Sequence, residues 1–393
     1  MDWFAAGNVI IMDEILSKDK QLPVKRESIG IWLTNACNLN CTYCYIHNKS
    51  EDTITVSKAM HILSKELLSS GLPVEIDFMG AEPLTRFDVL REIVENIKAK
   101  EWNRPYVFMA ATNGTLLNDE MKEWFFKNRN IMALGLSYDG EKSQPINRTK
   151  ENIKIDTDFF LKTWPQQPWK ITISEETAFN IDTDLIALHE KNIPFTANAA
   201  YEGHYWSEEA IAAYELSLFH LADYYVKNPH IKRCNLFRLP LRYTYGNTNA
   251  PQPCYCSAGQ SFRFYDMDGS VYPCHMFSEV ACEKGKSIQG LSWLKGADFE
   301  DPACKNCMLK GSCYTCIGSN WIYRGNIRLR DPLHCRLYQA QIRAMIHMIT
   351  ESCKGRSDLS NEELQEIRAA IALRQGFREG KIGMKETSSG HKE

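Results

Sequence analysis

Apolar residues in the first half of the chain follow two alternating periods, and this alternation predicts an α/β fold. Six apolar, β-branched or aromatic runs have the length of strands: residues 29–33, 74–79, 106–112, 131–137, 169–174 and 195–200. The segments between them carry apolar residues near i, i+3 and i+4, as amphipathic helices do: residues 57–70, 86–98, 118–127, 156–164 and 182–191. Strands that alternate with helices predict right-handed βαβ units and a parallel sheet. This periodicity fits an open doubly wound sheet and a partial barrel equally well.

The pattern changes after residue 200. A long helix is predicted over residues 207–226 with Ser207 as its N-cap, just as Asn118 and Asp182 are predicted to cap earlier helices. Residues 228–337 are rich in Gly, Pro and Cys and have few periodic stretches, which predicts a region held together by metal rather than by an apolar core. Amphipathic helices follow over residues 337–349 and 361–374, and the polar tail from residue 379 is predicted to be disordered.

Composition narrows the class of protein. The 393 residues carry 46 Lys and Arg against 49 Asp and Glu, and this balance argues against a general nucleic-acid binder. No apolar run approaches the ~20 residues that span a bilayer, and the first residues lack the basic start of a secretory signal. We therefore expect a soluble cytoplasmic protein with neither a membrane nor a nucleic acid as its partner.

The 14 cysteines are the unusual feature of the composition. In a reducing compartment, clustered cysteines more often bind metal or perform redox chemistry than form disulfides. Three of them are Cys37, Cys41 and Cys44, and nine more fall between residues 254 and 335. This distribution predicts two metal-binding regions on one chain.

The first cysteine group directly follows the first predicted strand. Three thiolates spaced as Cys37-x3-Cys41-x2-Cys44 can hold three corners of a [4Fe–4S] cluster and leave one iron open for another ligand. The alternatives are a zinc site with His47 as its fourth ligand, or three buried structural cysteines.

This spacing, with the aromatic Tyr43 before the third cysteine, resembles that of the radical S-adenosylmethionine (SAM) enzymes. The resemblance implies a partial (β/α)6 barrel. It also implies that the open iron chelates the methionine part of SAM, whose reductive cleavage yields a 5′-deoxyadenosyl radical that abstracts a hydrogen atom. Active sites of such barrels lie at the carboxyl ends of the strands.

Residues 80–83, Gly80-Ala81-Glu82-Pro83, follow the second predicted strand and resemble the Gly-Gly-Glu-Pro element of this family. The resemblance implies that their exposed backbone and Glu82 receive the SAM ammonium group. Ala81 replaces a glycine, which only narrows the range of allowed backbone angles.

Two further motifs resemble elements of the branch that modifies peptides and proteins. Thr112-Asn113-Gly114 ends the third strand, and Ser137-Tyr138-Asp139-Gly140 ends the fourth. The resemblance implies that Asn113, Ser137 and Asp139 belong to the SAM site. Taken singly, each motif is also a polar turn between a strand and a helix.

The second cysteine region contains two Cys-x2-Cys pairs, whose spacing alone is typical of zinc sites. The whole arrangement resembles the SPASM domain, which carries up to two auxiliary [4Fe–4S] clusters. By this resemblance the outer cluster takes Cys304, Cys307, Cys313 and Cys335. The inner cluster takes Cys274, Cys316 and one or both of Cys254 and Cys256. The family usually has three residues where this chain has two, between Cys313 and Cys316.

The resemblance implies two main uses of such chemistry. One is maturation of a ribosomally made peptide, usually by a C–C, thioether or ether cross-link, and the other is oxidation of a Cys or Ser of a sulfatase to formylglycine. In sulfatase maturases an Asp proposed as general base follows the inner-cluster cysteine, where this chain has His275. A neutral His can take a proton near pH 7, so His275 is either a catalytic base or a residue supporting the cluster. We favour peptide maturation, and an iron–sulfur electron carrier is a remote alternative.

The predicted organisation is an N-terminal extension (1–28), a radical SAM barrel (29–227), a loop-rich SPASM domain (228–340), C-terminal helices (341–378) and the tail (379–393). The expected partners are a peptide or protein substrate and an external electron donor such as a flavodoxin or ferredoxin. Only 36 residues precede Cys37, too few for a peptide-recognition domain. A leader peptide would then be bound by the barrel rim, the SPASM loops or a separate protein.

Overall fold

The computed structural model describes residues 26–46, 48–149, 153–201, 203–244, 256–281 and 300–385. Three residues of interest lie outside these ranges: the predicted ligand Cys254, the alternative zinc ligand His47, and Cys282, to which the cysteine pattern assigns no role.

Parallel strands form an open barrel wall. The strands are β1 (Glu27–Thr34), β2 (Val74–Gly80), β3 (Tyr106–Thr112), β4 (Met132–Leu136), β5 (Trp169–Ile173), β6 (Phe195–Ala199), β7 (Phe262–Tyr265) and β8 (Val271–Tyr272). The first sheet has the order β4-β3-β2-β1-β7-β8, and β5 pairs with β6 in a second one. A parallel bridge between Ser137 and Lys170 connects the end of β4 to β5. The partial barrel that the family resemblance implies is therefore confirmed.

The helices return the chain between strands and complete the C-terminal part. They are α1 (Val56–Leu68), α2 (Phe87–Lys98), α3 (Asp119–Asn128), α4 (Gln144–Asn147), α5 (Thr157–Thr163), α6 (Ile181–Glu190), α7 (Glu208–Lys227), α8 (Ile317–Arg324), α9 (Pro332–Cys353) and α10 (Asn361–Arg378). Asn118 and Ser207 cap α3 and α7 with their side chains, as predicted. Asp182 does not cap α6, because that helix already begins at Ile181 and its N-cap position is Asn180.

The two faces of β1 pack differently, because successive side chains of a strand point to opposite sides. Ile29, Ile31 and Leu33 are fully buried in the main core. Gly30 faces the other way, where an added Cβ would lie 2.8 Å from the Phe262 ring and 2.9 Å from the Met79 sulfur. A side chain at this position would therefore have to displace the Phe262 ring and the Met79 side chain.

The cysteine-rich region contains more regular structure than its sequence predicts. Strand β7 extends the barrel sheet by pairing in parallel with β1, from Ser28 opposite Phe262 to Ile31 opposite Tyr265. The prediction of disorder from residue 379 is wrong for residues 381–385. Lys381 O accepts a hydrogen bond from Met308 N (3.0 Å), and Lys385 N donates one to Ala303 O (3.1 Å), so this segment is tied to the cysteine region.

Candidate functional site

The first cysteine group lies on the loop that leaves the carboxyl end of β1. Cys37, Cys41 and Cys44 are all half-buried free thiols. Two hydrogen bonds fix the loop at Leu39: Lys49 Nζ donates to Leu39 O at 2.5 Å, and Leu39 N donates to Cys37 Sγ at 3.4 Å. Three thiols therefore share one short loop at the barrel edge where active sites form.

Asp139 anchors this loop to the barrel. Its carboxylate accepts hydrogen bonds from Tyr43 Oη (2.7 Å), Asn147 Nδ2 (3.1 Å) and Thr172 N (2.8 Å), and from Arg148 Nε (2.9 Å) and Nη2 (3.1 Å). With these donors and only 1% exposure, Asp139 links the cysteine loop, β5 and the end of α4. The predicted contact of Asp139 with SAM stays a prediction.

Sequence reasoning missed Arg148, which follows α4. Its guanidinium lies 5.2 Å from the centre of the Tyr43 ring, and its charge lowers the pKa of Cys41 against the larger, opposite effect of burial. A buried arginine beside Cys41, a predicted cluster ligand, is a fixed positive charge at a place where iron and sulfide would carry negative charge. No periodicity or motif in the sequence marks it.

Glu82 connects residues 80–83 to the Thr112-Asn113-Gly114 motif. Its carboxylate accepts hydrogen bonds from Leu84 N (3.1 Å), Thr112 Oγ1 (2.8 Å) and Asn113 N (2.7 Å). Burial raises the pKa of Glu82, while the hydrogen bonds from Asn113, Thr112 and Leu84 lower it. The Asn113 side chain in turn donates to Asn38 Oδ1 at 3.0 Å, on the cysteine loop.

Gly80 is required by the backbone around it. An added Cβ would lie 2.8 Å from Thr34 O, which also accepts the hydrogen bond of Ala81 N. Ser137 is half-buried at the end of β4 with its N–H bonded to Thr112 O at 2.8 Å. Residues 80–83, Asn113, Ser137 and Asp139 therefore gather at one edge of the barrel, next to the cysteine loop, and their contacts with SAM stay predictions.

The structure brings the four predicted outer-cluster cysteines to one cavity. Its lining includes Cys304, Cys307, Cys313 and Cys335. Three of their sulfurs accept hydrogen bonds: Cys307 from Gly383 N (3.4 Å), Cys313 from Arg330 Nη1 (3.2 Å) and Cys335 from Gln339 Nε2 (3.3 Å). Donors of this kind stabilise sulfur that carries negative charge and tune the potential of a cluster.

Arg330 provides the test of whether an anionic cluster fits there. The residue is 3% exposed and lines the same cavity, and its Nε and Nη2 atoms have no hydrogen-bond partner among the described residues. A buried cation with unused donors is costly unless a negative group compensates it. Four thiolates around iron and sulfide would supply that charge, so the residues fit the cluster.

Two predicted inner-cluster cysteines lie in the same neighbourhood. Cys316 is the N-cap of α8 and its Sγ accepts a hydrogen bond from Ser319 N at 3.4 Å. An added Cβ at Gly318, in the first turn of α8, would lie 3.6 Å from Cys274 Sγ. Cys274 is buried in an apolar cluster against which Cys44 and Tyr45 also pack, so one cysteine of each group lies against this cluster. Cys256 is exposed, and its role as a ligand stays a prediction. The segment that follows it is held near Cys274 by a hydrogen bond from Gly259 N to Pro273 O at 3.2 Å.

His275 packs among aromatic rings at this junction. Its ring centre lies 5.3 Å from that of Tyr45, 6.5 Å from that of Trp32 and 6.1 Å from that of Phe264. Burial, helped by the nearby Lys170 charge, lowers the pKa of His275 to about 4. Its buried Nδ1 has no hydrogen-bond partner in the described part of the chain. The ring is therefore neutral at pH 7.

Among the described residues, no three His, Cys, Asp or Glu side chains converge closely enough to hold a single metal ion. None of the described helices combines the length and the apolar character needed to cross a bilayer.

Comparison with known proteins identifies relatives of both halves of the chain. Residues 28–155 match the model of a 4Fe-4S single cluster domain. A cysteine-type anaerobic sulfatase-maturating enzyme of Clostridium novyi is 26% identical over 316 residues, which are 69% of this chain and 82% of that enzyme. An uncharacterized protein of Methanocaldococcus jannaschii is 27% identical over 257 residues, covering 64% of this chain and 85% of the relative.

Among solved structures, native anSMEcpe with bound AdoMet matches with a TM-score of 0.57 at 19% identity, covering 84% of this chain and all (100%) of that one. SuiB of Streptococcus suis matches with a TM-score of 0.50 at 17% identity, covering 81% and 79%. These likenesses show the same α/β fold. The cluster-domain match and the enzyme relatives support the class and cofactors predicted from the sequence, a radical SAM enzyme with SAM and iron–sulfur.

Proposed function

We propose that this enzyme is a maturase that abstracts a hydrogen atom from one residue of a ribosomally made peptide, or of a protein, and completes an oxidation there. The observation that carries the proposal is the packing around Tyr45: Cys44 of the first group and Tyr45 both pack against the apolar cluster in which Cys274 of the second group is buried. A site that cleaves SAM and also oxidises its product needs an electron acceptor close to the substrate.

The roles we assign follow the cysteine groups. Cys37, Cys41 and Cys44 hold the SAM cluster, Cys274 and Cys316 with Cys254 or Cys256 the inner auxiliary cluster, and Cys304, Cys307, Cys313 and Cys335 the outer one. When bound, SAM and the reduced cluster supply a 5′-deoxyadenosyl radical that takes the hydrogen atom. Electrons for SAM cleavage come from an external donor such as a flavodoxin or ferredoxin.

The chain's own residues orient these groups and exclude water. Asp139, paired with Arg148, fixes the cysteine loop through Tyr43. Glu82 fixes the end of β3 through Thr112 and Asn113. The rings of Trp32, Tyr45 and His275 pack together in the apolar cluster that also contacts Cys44 and Cys274. Apolar rings that exclude water beside the cysteines would protect a radical from side reactions.

Support for a peptide or protein substrate comes from the relatives. The Clostridium novyi relative is named for sulfatase maturation, and anSMEcpe has been solved with a bound Kp18Cys peptide at a TM-score of 0.59 to this chain. Formylglycine formation is the second candidate on the same ground. We rank it lower because His275 stands where sulfatase maturases have an Asp.

The experiment is an anaerobic assay with SAM and a reductant that measures 5′-deoxyadenosine and peptide mass together. Cys37→Ala should abolish deoxyadenosine formation. Cys335→Ala should retain some SAM cleavage but lose the oxidised product, while Cys353→Ala, at the end of α9 and outside both cysteine groups, should match the unmodified enzyme. Full SAM cleavage by Cys37→Ala would overturn the first assignment, and full product yield from Cys335→Ala the second.

A sulfatase-type Cys-x-Pro-x-Arg peptide separates the two candidate functions. Deoxyadenosine with an unchanged peptide would favour a different peptide substrate. Conversion of its Cys to formylglycine would establish the second candidate and show that a His at position 275 is compatible with that reaction.

A further inference from the structure

One edge of β6 faces away from the rest of the sheet. In a parallel ladder the backbone groups of alternate residues point to the same neighbour. Pro194 O accepts from Trp169 N at 2.9 Å, and Ala200 N donates to Ile173 O at 2.8 Å, so the even-numbered residues face β5. The N–H and C=O groups of Ala197 and Ala199 therefore point to the opposite edge.

The side chain of Asn235 covers this edge at Ala197. Its Oδ1 accepts from Ala197 N at 2.8 Å, and its Nδ2 donates to Ala197 O at 2.8 Å, as the backbone of a neighbouring strand would. Two residues further along, Ala199 presents the same pair of groups. Within the described ranges, nothing hydrogen-bonds to the N–H or C=O of Ala199. The edge is thus closed at one position and open at the next.

The open position borders a cavity of about 100 Å³. The walls come from β6, α7, α9 and two loops, and are mainly apolar or aromatic: Tyr201, Tyr214, Leu236, Tyr314, Leu337 and Tyr338. An apolar cavity of ~150 Å³ binds benzene in another protein, so this one has room for a single side chain and not for a whole cofactor.

The cavity lies between the two functional regions of the molecule. It opens at the carboxyl end of β6, the barrel edge that also carries the first cysteine loop. On its far side, His334 and Tyr338 line both this cavity and the cavity of the four outer cysteines. A chain bound here would run through the cleft between the barrel and the cysteine-rich region.

We propose that the substrate peptide binds as an added strand at this free edge of β6, pairing its backbone with Ala199 and inserting one apolar or aromatic side chain into the cavity. Strand addition uses main-chain hydrogen bonds for affinity and pockets for alternate side chains for specificity. The edge and the cavity together offer both elements. This inference rests on the proposed function, since it assumes a peptide substrate.

The test selects short random-sequence peptides for binding to the reconstituted enzyme with SAM under anaerobic conditions. Each selected peptide is then remade with a single N-methyl group at every position in turn. Because alternate amides of a strand face its neighbour, N-methylation at one or more alternate positions should weaken binding about tenfold, the effect of one lost hydrogen bond. N-methylation at the positions between them should have little effect. The selected peptides should also share one apolar or aromatic position.

Two variants of the protein test the same edge from the other side. Ala199→Pro removes the N–H at a place where an edge strand tolerates proline, and it should weaken binding of the selected peptides about tenfold. Ala199→Ser keeps the N–H and is the matched control for the change of side chain. Iron content per chain reports whether each variant is folded.

The outcomes separate this inference from the proposed function. Peptides that bind and stimulate deoxyadenosine formation, but whose N-methyl scan shows no alternation, would overturn strand addition and leave the maturase proposal intact. Failure of every library peptide to bind the enzyme with SAM would count against both. The N-methyl scan requires no protein variant, so it decides the question even if Ala199→Pro does not fold.

Discussion

Arg148 and Asp139 form a buried ion pair, with Nε at 2.9 Å and Nη2 at 3.1 Å from the two carboxylate oxygens. The side chains are 9% and 0% exposed. Asp139 also accepts a hydrogen bond from the Tyr43 hydroxyl, and the Arg148 guanidinium lies over the Tyr43 ring. The pair therefore connects the barrel to the loop that carries the first three cysteines.

Arg148→Met should destabilise the protein by about 3 kcal/mol, because it leaves the Asp139 carboxylate buried without its cation. The loop should also lose order, so the iron bound by the first group should fall. Urea unfolding and iron analysis of the variant measure the two effects. Arg336→Met is the control, since its partner Glu208 is 82% exposed and the loss should stay below about 0.5 kcal/mol. Equal stability of the two variants would contradict the role of the pair.

Gly80→Ala should reduce 5′-deoxyadenosine formation at least about tenfold. The new Cβ would lie 2.8 Å from Thr34 O, a backbone atom, and must displace the junction of β1 with residues 80–83. Ala81→Gly is the matched change at the next residue, and should stay within about twofold of the unmodified enzyme because it only widens the allowed backbone angles. If Gly80→Ala formed more 5′-deoxyadenosine than Ala81→Gly, the junction of β1 with residues 80–83 would not control the site.

His275→Phe should retain SAM cleavage and product formation, because phenylalanine can occupy the aromatic cluster of Trp32, Tyr45 and Phe264. His275→Ala should lose both through the void it leaves. Deoxyadenosine and peptide product are measured together for each variant. A His275→Phe enzyme that cleaves SAM fully but forms no product would instead support the predicted role of His275 as base.

His189 should make the protein less stable in mild acid. Burial lowers its pKa to about 4, below the ordinary value of about 6.5, so the unfolded chain binds a proton more tightly than the folded one. Its contribution is complete above pH 6.5 and is lost as the pH falls towards 4. His189→Gln retains a hydrogen-bonding group for the Tyr225 hydroxyl, 2.7 Å from the His189 ring. Its unfolding free energy should fall less between pH 7 and pH 5, and parallel curves for the two proteins would exclude this coupling.

Periodicity predicts the strands and helices of the barrel well because these elements are local and amphipathic, whereas the closure into a partial barrel is implied only by the family resemblance. The predicted strands and helices up to residue 200 end within two residues of those observed. Strand β7 escapes prediction because its four residues gain their pairing from β1, more than two hundred residues earlier. The segment 381–385 is missed for the same reason, since its order comes from Ala303, Cys307 and Met308.

In the candidate site, too, the features that lie close together in the sequence could be predicted and those that depend on tertiary contacts could not. The spacing of Cys37, Cys41 and Cys44 is visible in the sequence because all three lie on one loop. Arg148 is not visible, because the residues that it approaches on the cysteine loop, Tyr43 and Cys41, lie far earlier in the chain. Arg330 is not visible, because only the folded chain places its guanidinium beside Cys313 Sγ in the cavity of the outer cysteines. Charge compensation of this kind follows from tertiary structure alone.

The most direct test of the central claim follows the hydrogen atom itself. The enzyme is incubated anaerobically with SAM, a reductant and a library of fully deuterated peptides, and the 5′-deoxyadenosine is analysed by mass spectrometry. The account predicts that part of this deoxyadenosine contains one deuterium, that the deuterium is absent with Cys37→Ala, and that the donor peptide appears in oxidised form. Deoxyadenosine that remains free of deuterium with every peptide would contradict a peptide-modifying function.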